Sequence, residues 1–469
     1  MTVQNVTPSD ESRSDPFFAR ISDDPLAGAF SGGIRAHAHG RVSAVPAEDV
    51  PALWDRLCET PRQGPTVAYV HVPFCENHCL FCGFYQNPWR REAGAPYVDA
   101  VLAQMRAGAA TAAQQGHPIR ALYLGGGTPS ALSARDLARL VGSLRETLPL
   151  SPDCEITLEG RIVSFGLEKA RAAFDAGVNR ISLGVQSFDD RVRRRLGRKS
   201  TRSETLRFLE GLVAADCGAV VIDLIYGLPG QDRATFRDDL RMATALGIDG
   251  LDLYALKTIP GTPLLLAQEK GKLLPAAPHS LGHYYADGCE EMERAGWDAI
   301  STTHWRRGLR ERNLYNADIK SGAACLAFGA GAGGNLHGHG YRLQPDLDAY
   351  AEATRQGGRA PLAGLMRPSA LAPVHNAIKA GMERGRLDPA PVERALAECG
   401  LALRFEDLAA PLLTQWQEAG LMTAGTGALT LTLAGRFWQV AMTTRLIAWT
   451  DRSVSEATRE ACSPEETTA

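Results

Sequence analysis

A chain of 469 residues with 45% hydrophobic positions is long enough for a large core and for two domains. Its 50 basic and 53 acidic side chains nearly cancel to a formal charge of −3, which leaves no electrostatic footprint for nucleic acid. No run of about 18 apolar residues is present to cross a membrane, and Met1 to Asp15 is polar, without the apolar stretch of a secretory signal. The ten cysteines show no disulfide-like pairing: three cluster and seven are scattered. Scattered single cysteines and one oxidisable cluster point to a reducing, cytoplasmic setting.

Residues 1–64 read as an N-terminal extension, disordered over 1–30 where Ser, Asp, Glu and Arg dominate without periodicity. A βα alternation starts at Thr66–Val72. The further strands are predicted at Ala121–Leu124, Glu155–Glu159, Arg180–Val185, Ala219–Ile225 and Leu251–Leu256. Between them lie helical patterns at Ala95–Ala113, Ser133–Leu148, Leu167–Ala176, Arg202–Ala215 and Arg233–Leu246. Six such units predict an α/β fold, a partial and open (β/α)6 barrel. A helix at Leu281–Ala295 and strands at Trp297–Thr302 and Ala324–Phe328 extend its sheet on one side, so this domain spans 65–357. Residues 358–450 read as a small helical, winged-helix-like domain: short helices, the two-stranded run Thr423–Leu433 and a final helix Ala434–Thr450. Without a basic stripe it reads as a structural cap rather than a DNA reader. Residues 451–469 read as a polar tail.

The chemistry-bearing residues fall one after another at the carboxyl ends of the predicted strands, where a parallel barrel keeps its active site. The first strand ends at Cys75-Glu-Asn-His-Cys79-Leu-Phe-Cys82. Three thiolates at this spacing fit three corners of an iron–sulfur cube and leave the fourth iron open to an amine and a carboxylate, as S-adenosylmethionine (SAM) offers. A zinc site with His78 is the alternative, although His78 adjoins Cys79 and the two strain to face one ion. The second strand runs into Gly125-Gly126-Gly127-Thr128-Pro129, a tight turn or a cradle of backbone N–H groups. The third ends in Glu159-Gly160-Arg161, the fourth leads to Gln186, the fifth carries Asp223 in an apolar run, and the sixth carries Tyr254 and Ala255. A carboxylate buried in an apolar strand is costly unless bonded, so Asp223 is expected to meet a ligand or a donor. The basic run Arg191–Arg198 reads as a solvated helix face, with Arg198 beyond the helix able to neutralise a carboxylate.

The cysteine loop, the Gly-Gly-Gly-Thr-Pro turn, Gly184-Val-Gln-Ser-Phe188 and Asp223-Leu-Ile-Tyr-Gly-Leu-Pro-Gly230 together resemble the radical SAM group of oxygen-independent coproporphyrinogen III oxidase, over roughly residues 65–345. That resemblance implies a 4Fe–4S cluster held by Cys75, Cys79 and Cys82 and two SAM molecules. It implies Tyr69, Gly126, Glu159 and Ala255 as contacts to the cluster-bound SAM. Phe81, Gly127, Thr128, Gln186, Arg198 and Asp223 are implied as contacts to the second. Phe84 stands where the decarboxylases carry an extra cysteine, and Gly83 and Glu159-Gly-Arg161 depart from the haem chaperone pattern. Phe81-Cys-Gly-Phe-Tyr-Gln-Asn87, Arg310-Glu-Arg-Asn-Leu-Tyr-Asn316 and Phe328-Gly-Ala-Gly-Ala-Gly-Gly334 instead resemble the anaerobilin synthase branch, which degrades haem without oxygen.

For that branch the resemblance implies a 5′-deoxyadenosyl radical from the first SAM and a methylene radical drawn from the second. Addition to a meso carbon of haem, ring opening to a linear tetrapyrrole and iron release follow. Haem is then the substrate, a flavodoxin-like or other low-potential carrier the electron donor, and no nucleic acid or membrane insertion is implied. Candidate haem contacts are the paired histidines His37, His39, His337 and His339, the cations Arg310, Arg312 and Arg342, and the aromatics Trp305 and Tyr315, each with a surface or core role as the alternative. The rival functions are a haem chaperone that hands haem on unchanged, a coproporphyrinogen oxidase-like activity, and another two-SAM methylase.

Overall fold

The computed structural model describes residues 16–31, 42–273, 278–357 and 360–462. A 13-stranded sheet organises it. Six parallel strands follow one another in sequence and in space: β1 (Thr66–Val72), β2 (Ile119–Gly126), β3 (Leu150–Gly160), β4 (Arg180–Gln186), β5 (Ala219–Tyr226) and β6 (Gly250–Ala255). The helices α1 (Gly94–Gly108), α2 (Ala134–Thr147), α3 (Leu167–Asp175), α4 (Arg202–Ala215) and α5 (Arg233–Ala245) alternate with them, giving the expected open radical SAM barrel. The strands are apolar runs buried on both faces, as βα units require; Val220, Val221, Ile222 and Leu224 of β5 are at most 1% exposed. Local chemistry starts the helices: Ser133 accepts from the Asp136 amide at 3.1 Å, and Thr201 with Glu204 forms a capping box.

The sheet grows on both sides, not one. Beyond β6, β7 (His304–Arg306) adds antiparallel, with the two-residue strand Asp298–Ala299 outside it. Beyond β1, β8 (Ala324–Phe328) adds parallel, then β9 (Gly333–Leu336), β10 (His339–Leu343) and β11 (Leu362–Pro368) add antiparallel. The strand expected at Trp297–Thr302 is therefore two short pieces around a turn, because Ser301 accepts from the Thr303 and His304 amides at 3.2 and 3.1 Å. The helix Leu314–Lys320 lies against β1 and β2 and sends Tyr315 to stack on Tyr123 at 4.6 Å between centroids.

The C-terminal part packs Ala372–Glu383, Pro389–Glu398, Phe405–Glu418 and Gln439–Cys462 around a three-stranded sheet, Arg386–Leu387, Met422–Gly425 and Ala428–Leu431. Two sequence expectations fail here. The last helix runs on to Cys462, so 451–462 is helix rather than polar tail, with Val454 buried. The stretch 16–30 is not disordered. The Trp416 indole donates to the Phe17 carbonyl at 3.3 Å, Gln415 exchanges two bonds with Ala19, and Phe17 meets Trp449 edge-on at 5.5 Å. A short aromatic pair in a polar context has no periodicity, so it becomes readable only once a partner helix lies under it. Trp416 is fully buried, and Trp416→Ala should cost about 3–5 kcal/mol, read as a lower urea midpoint for the whole chain.

Candidate active site

The interior of the barrel is marked strand by strand. Among mostly buried strand residues, Tyr69, Tyr123, Glu159, Gly184, Asp223 and Tyr254 are partly open, as are Arg120 and Gly126 on β2 and residues 150–153 at the start of β3. The period of two along a strand brings the first six to a common lumen.

The cysteine loop closes one side of the mouth. Cys75 and Cys79 are buried and Cys82 is partly exposed; all three are free thiols. Cys75 Sγ lies 3.3 Å from the Thr128 hydroxyl, the Cys82 amide donates to the Cys79 carbonyl, and the Phe84 amide points at Cys82 Sγ from 3.4 Å. Burial raises the Cys75 and Cys82 thiols, as expected of sulfurs that ionise only against metal. Among the described residues no three His, Cys, Asp or Glu side chains close on a single ion. His78 is engaged elsewhere, 3.0 Å from the Cys82 carbonyl and stacked on Tyr85 at 4.4 Å. The donor set therefore fits a cube, which takes one thiolate at each of three separate corners, and not one zinc ion.

The glycine turn lies against this loop. A Cβ on Gly127 would stand 2.6 Å from the Phe74 carbonyl, and one on Gly126, whose φ is +107°, would stand 2.5 Å from the His71 ring. Only glycine permits both approaches. Glu159 is fixed from two sides, accepting from the Tyr123 hydroxyl at 2.7 Å and the Gly126 amide at 3.1 Å. Burial raises its carboxyl, and those two bonds oppose the rise. Tyr69 meets His71 Nδ1 at 2.8 Å, and burial lowers His71 to about 4, so the imidazole is neutral.

The opposite side is built for a ligand that the protein does not replace. Gln186 adopts φ 71° at a register shift between β4 and β5, and its Oε1 is buried without a partner. Arg198 Nε is likewise buried and unpartnered. Gly184 gives both room, since a Cβ there would lie 2.6 Å from Gln186 Nε2 and 3.2 Å from Arg198 Nη2. Burial, then Asp252 and Glu159, push the neighbouring Asp223 up to about 7. Orphaned buried donors and acceptors are expensive. Phe81 packs with Tyr254 against Ile225, and Ala255 ends β6 beside them.

The haem candidates do not gather here. His37 and His39 lie outside the described residues. His337 bonds the Thr60 carbonyl at 3.1 Å and His339 the His337 carbonyl at 3.2 Å, next to the amino end of β1. Arg310 pairs with Asp216 at 2.6 Å, just before β5. Arg312 pairs with Asp153 at 3.3 Å, in the first half of β3. All four sit at the end of the barrel opposite the cysteines. Trp305 is core against Tyr285, and Tyr315 fills the lumen beside Tyr123. Arg342 alone is exposed on β10, close enough to His71 to oppose its charge.

The sequence had not singled out His71 or Tyr123, and it offered Arg161 only within Glu159-Gly-Arg161, without its partner. Arg161 reaches from the end of β3 to the Asn77 side chain at 3.0 Å and its carbonyl at 3.3 Å, tying Glu159-Gly-Arg161 to the cysteine loop. The signal for His71 was present: Tyr69-Val-His71 has the period of a strand face.

Comparison with known proteins agrees with this geometry. The radical SAM superfamily matches residues 69–243. Over 396 residues, 84% of this chain and 86% of the relative, the chain is 43% identical to the anaerobilin synthase of Escherichia coli O157:H7. The chain belongs to the anaerobilin synthase family. Membership in a radical SAM family implies a 4Fe–4S cluster and SAM. The haem chaperone HemW of Synechocystis is 30% identical over 249 residues, 52% of this chain and 60% of its own. The solved coproporphyrinogen III oxidase of Escherichia coli has the same fold, with a TM-score of 0.72 at 24% identity over 89% of this chain and 96% of that one. No helix of the described residues is long and apolar enough to cross a membrane.

Two outcomes check the site. Replacing Cys75, Cys79 or Cys82 with Ala should abolish iron and sulfide retention after anaerobic reconstitution, whereas Cys217→Ala, on the exposed surface, should leave it unchanged. Glu159→Gln keeps the side-chain shape but loses the charge, so SAM binding measured by calorimetry should weaken about tenfold to a hundredfold.

Proposed function

We propose that this protein is a radical SAM C-methyltransferase that methylates haem at a meso carbon and opens the ring, giving a linear tetrapyrrole and free iron. The observation that carries the two-SAM part is the pairing in one lumen of the cysteine trio with the orphaned Gln186 Oε1 and Arg198 Nε beside Asp223. The haem substrate rests on the 43% identical relative named for anaerobilin.

The cluster and its SAM, when bound, supply a carbon radical that activates the methyl group of the second SAM. The chain's own groups bind, orient and exclude water. Glu159, locked by Tyr123 and Gly126, presents a fixed acceptor to the ribose hydroxyls or the ammonium of the first SAM. Thr128, its hydroxyl 3.3 Å from Cys75 Sγ, ties the glycine turn to the cysteine loop. Arg198 offers its free Nε to the carboxylate of the second SAM, and Asp223 offers an acceptor to its ammonium or hydroxyls. Tyr69, Tyr123 and Tyr315 pack one wall with aromatic surface that keeps the lumen dry, their centroids 4.6 to 6.4 Å apart.

Departures at Gly83 and Glu159-Gly-Arg161 support the enzyme over a chaperone, and Arg161 gives the second departure a structural consequence at the cysteine loop. Reconstituted protein given haem, a low-potential flavodoxin-like donor and methyl-labelled SAM under strict anoxia should place label in a linear tetrapyrrole, with S-adenosylhomocysteine and 5′-deoxyadenosine formed alongside. Haem recovered intact beside an intact cluster would falsify this reading.

A further inference from the structure

Beneath the lumen lies a chain of buried charges that ligand binding does not account for. Arg180, at the start of β4 and 3% exposed in its side chain, forks onto the fully buried Glu311 through bonds of 2.9, 2.9 and 3.1 Å. His304 on β7 stands between two carboxylates, with Nε2 3.1 Å from Glu311 and Nδ1 2.8 Å from Asp252, close ion-pair contacts that are not aligned as hydrogen bonds. Asp252 on β6 is the register partner of Asp223 on β5. Gly250 makes room for the crossing: a Cβ there would stand 2.8 Å from Glu311 and 3.2 Å from His304 Nε2. The chain therefore runs Arg180, Glu311, His304, Asp252, Asp223, from the base of the barrel to its ligand side.

We propose that His304 is a positioning residue for the second ligand site, where its charge, held between Asp252 and Glu311, favours the ionised form of Asp223 that can hold a cationic sulfonium ligand. The inference rests on the reading of Asp223 as a contact to the second SAM. Burial opposes the charge on His304, but Asp252 and Glu311 overcome it and lift the imidazole to about 9. Burial likewise works against Glu311, yet Arg180 and His304 hold it down to about 2. His304 is thus a cation and Glu311 an anion across the neutral range. Asp223 meets charge from every surrounding element. Asp252 and Tyr254 face it from β6, Glu159 from β3 and Tyr123 from β2; the cations opposite are Arg180 on β4, His304 on β7 and Arg198 beyond the helix Asp190–Arg195. Three carboxylates share that space and burial adds to their upward push on Asp223, which Arg180 and His304 oppose.

The sign follows. Removing the His304 cation raises the pH at which Asp223 ionises, and removing the Asp252 charge lowers it. Equilibrium dialysis of labelled SAM against the reconstituted holoprotein, from about pH 6 to pH 9, reads this directly. The wild type should bind two SAM at high pH and fall to one through about pH 7. In His304→Gln that fall should move up by about one pH unit, roughly a tenfold loss of second-site affinity at pH 7. Asp252→Asn should move it down, and the double variant should return it toward wild type. A purely structural role weakens binding at every pH without moving the midpoint. If His304→Gln does not fold, the downward shift in Asp252→Asn still decides. Unmoved midpoints in folded variants would overturn the inference while leaving the two-SAM reading intact. Two SAM bound at all pH by Asp223→Asn would overturn the inference and Asp223 as a second-site contact, and a wild type that never exceeds one would overturn the two-SAM reading as well.

Discussion

The barrel depends on charge sealed away from water. Arg180 and Glu311 meet at its base with almost no exposure, and burial on that scale is tolerable only when each charge is matched and each hydrogen-bonding site used. The fork of three bonds matches the charge of the guanidinium and engages its Nε and Nη2. His304 passes the requirement on to Asp252, and Asp252 to Asp223. Removing one member leaves its neighbour as an uncompensated buried ion, so the polar interior stands or falls together.

Above that base the same constraint is left deliberately unmet. Gln186 Oε1 and Arg198 Nε are buried without partners, next to carboxylates raised by burial. Folding leaves these groups desolvated, a cost that the proposed second SAM, carrying both charges, would offset. The cost is borne by the apolar strands and helices around the lumen, whose side chains form one continuous core from β1 to the C-terminal helices. Backbone proximity does the rest: glycine at 126, 127 and 184 lets the loop, the turn and the side chains of Gln186 and Arg198 share space that any Cβ would fill.

Legibility in the sequence followed the range of the interaction. Cys75, Cys79 and Cys82 were readable because a cluster loop is local, and Asp223 because a carboxylate in an apolar strand stands out within a few residues. Asp252 carries the same signal in Leu251-Asp-Leu253 and went unused, because its partner His304 is far along the chain and in a strand of the opposite direction. Arg310 and Arg312 looked suited to haem propionates by type alone. Asp216 and Asp153 claim them at the far end of the barrel, which no local pattern could have announced. Glu311 between them, not suspected at all, turned out to be buried at the centre of the charge chain.

The sequence by itself determined the repeating βα order, the cysteine loop and the row of polar exceptions at the strand ends, since all three are written in short-range periodicity and spacing. The tertiary structure decided which of those polar residues share a lumen. It also decided that the sheet extends on both sides, that residues 16–31 fasten the C-terminal helices, and that Arg180, Glu311, His304 and Asp252 form one chain of charge. These depend on contacts between residues distant in sequence, where burial and the field of neighbouring groups set the energy and composition carries no record of them.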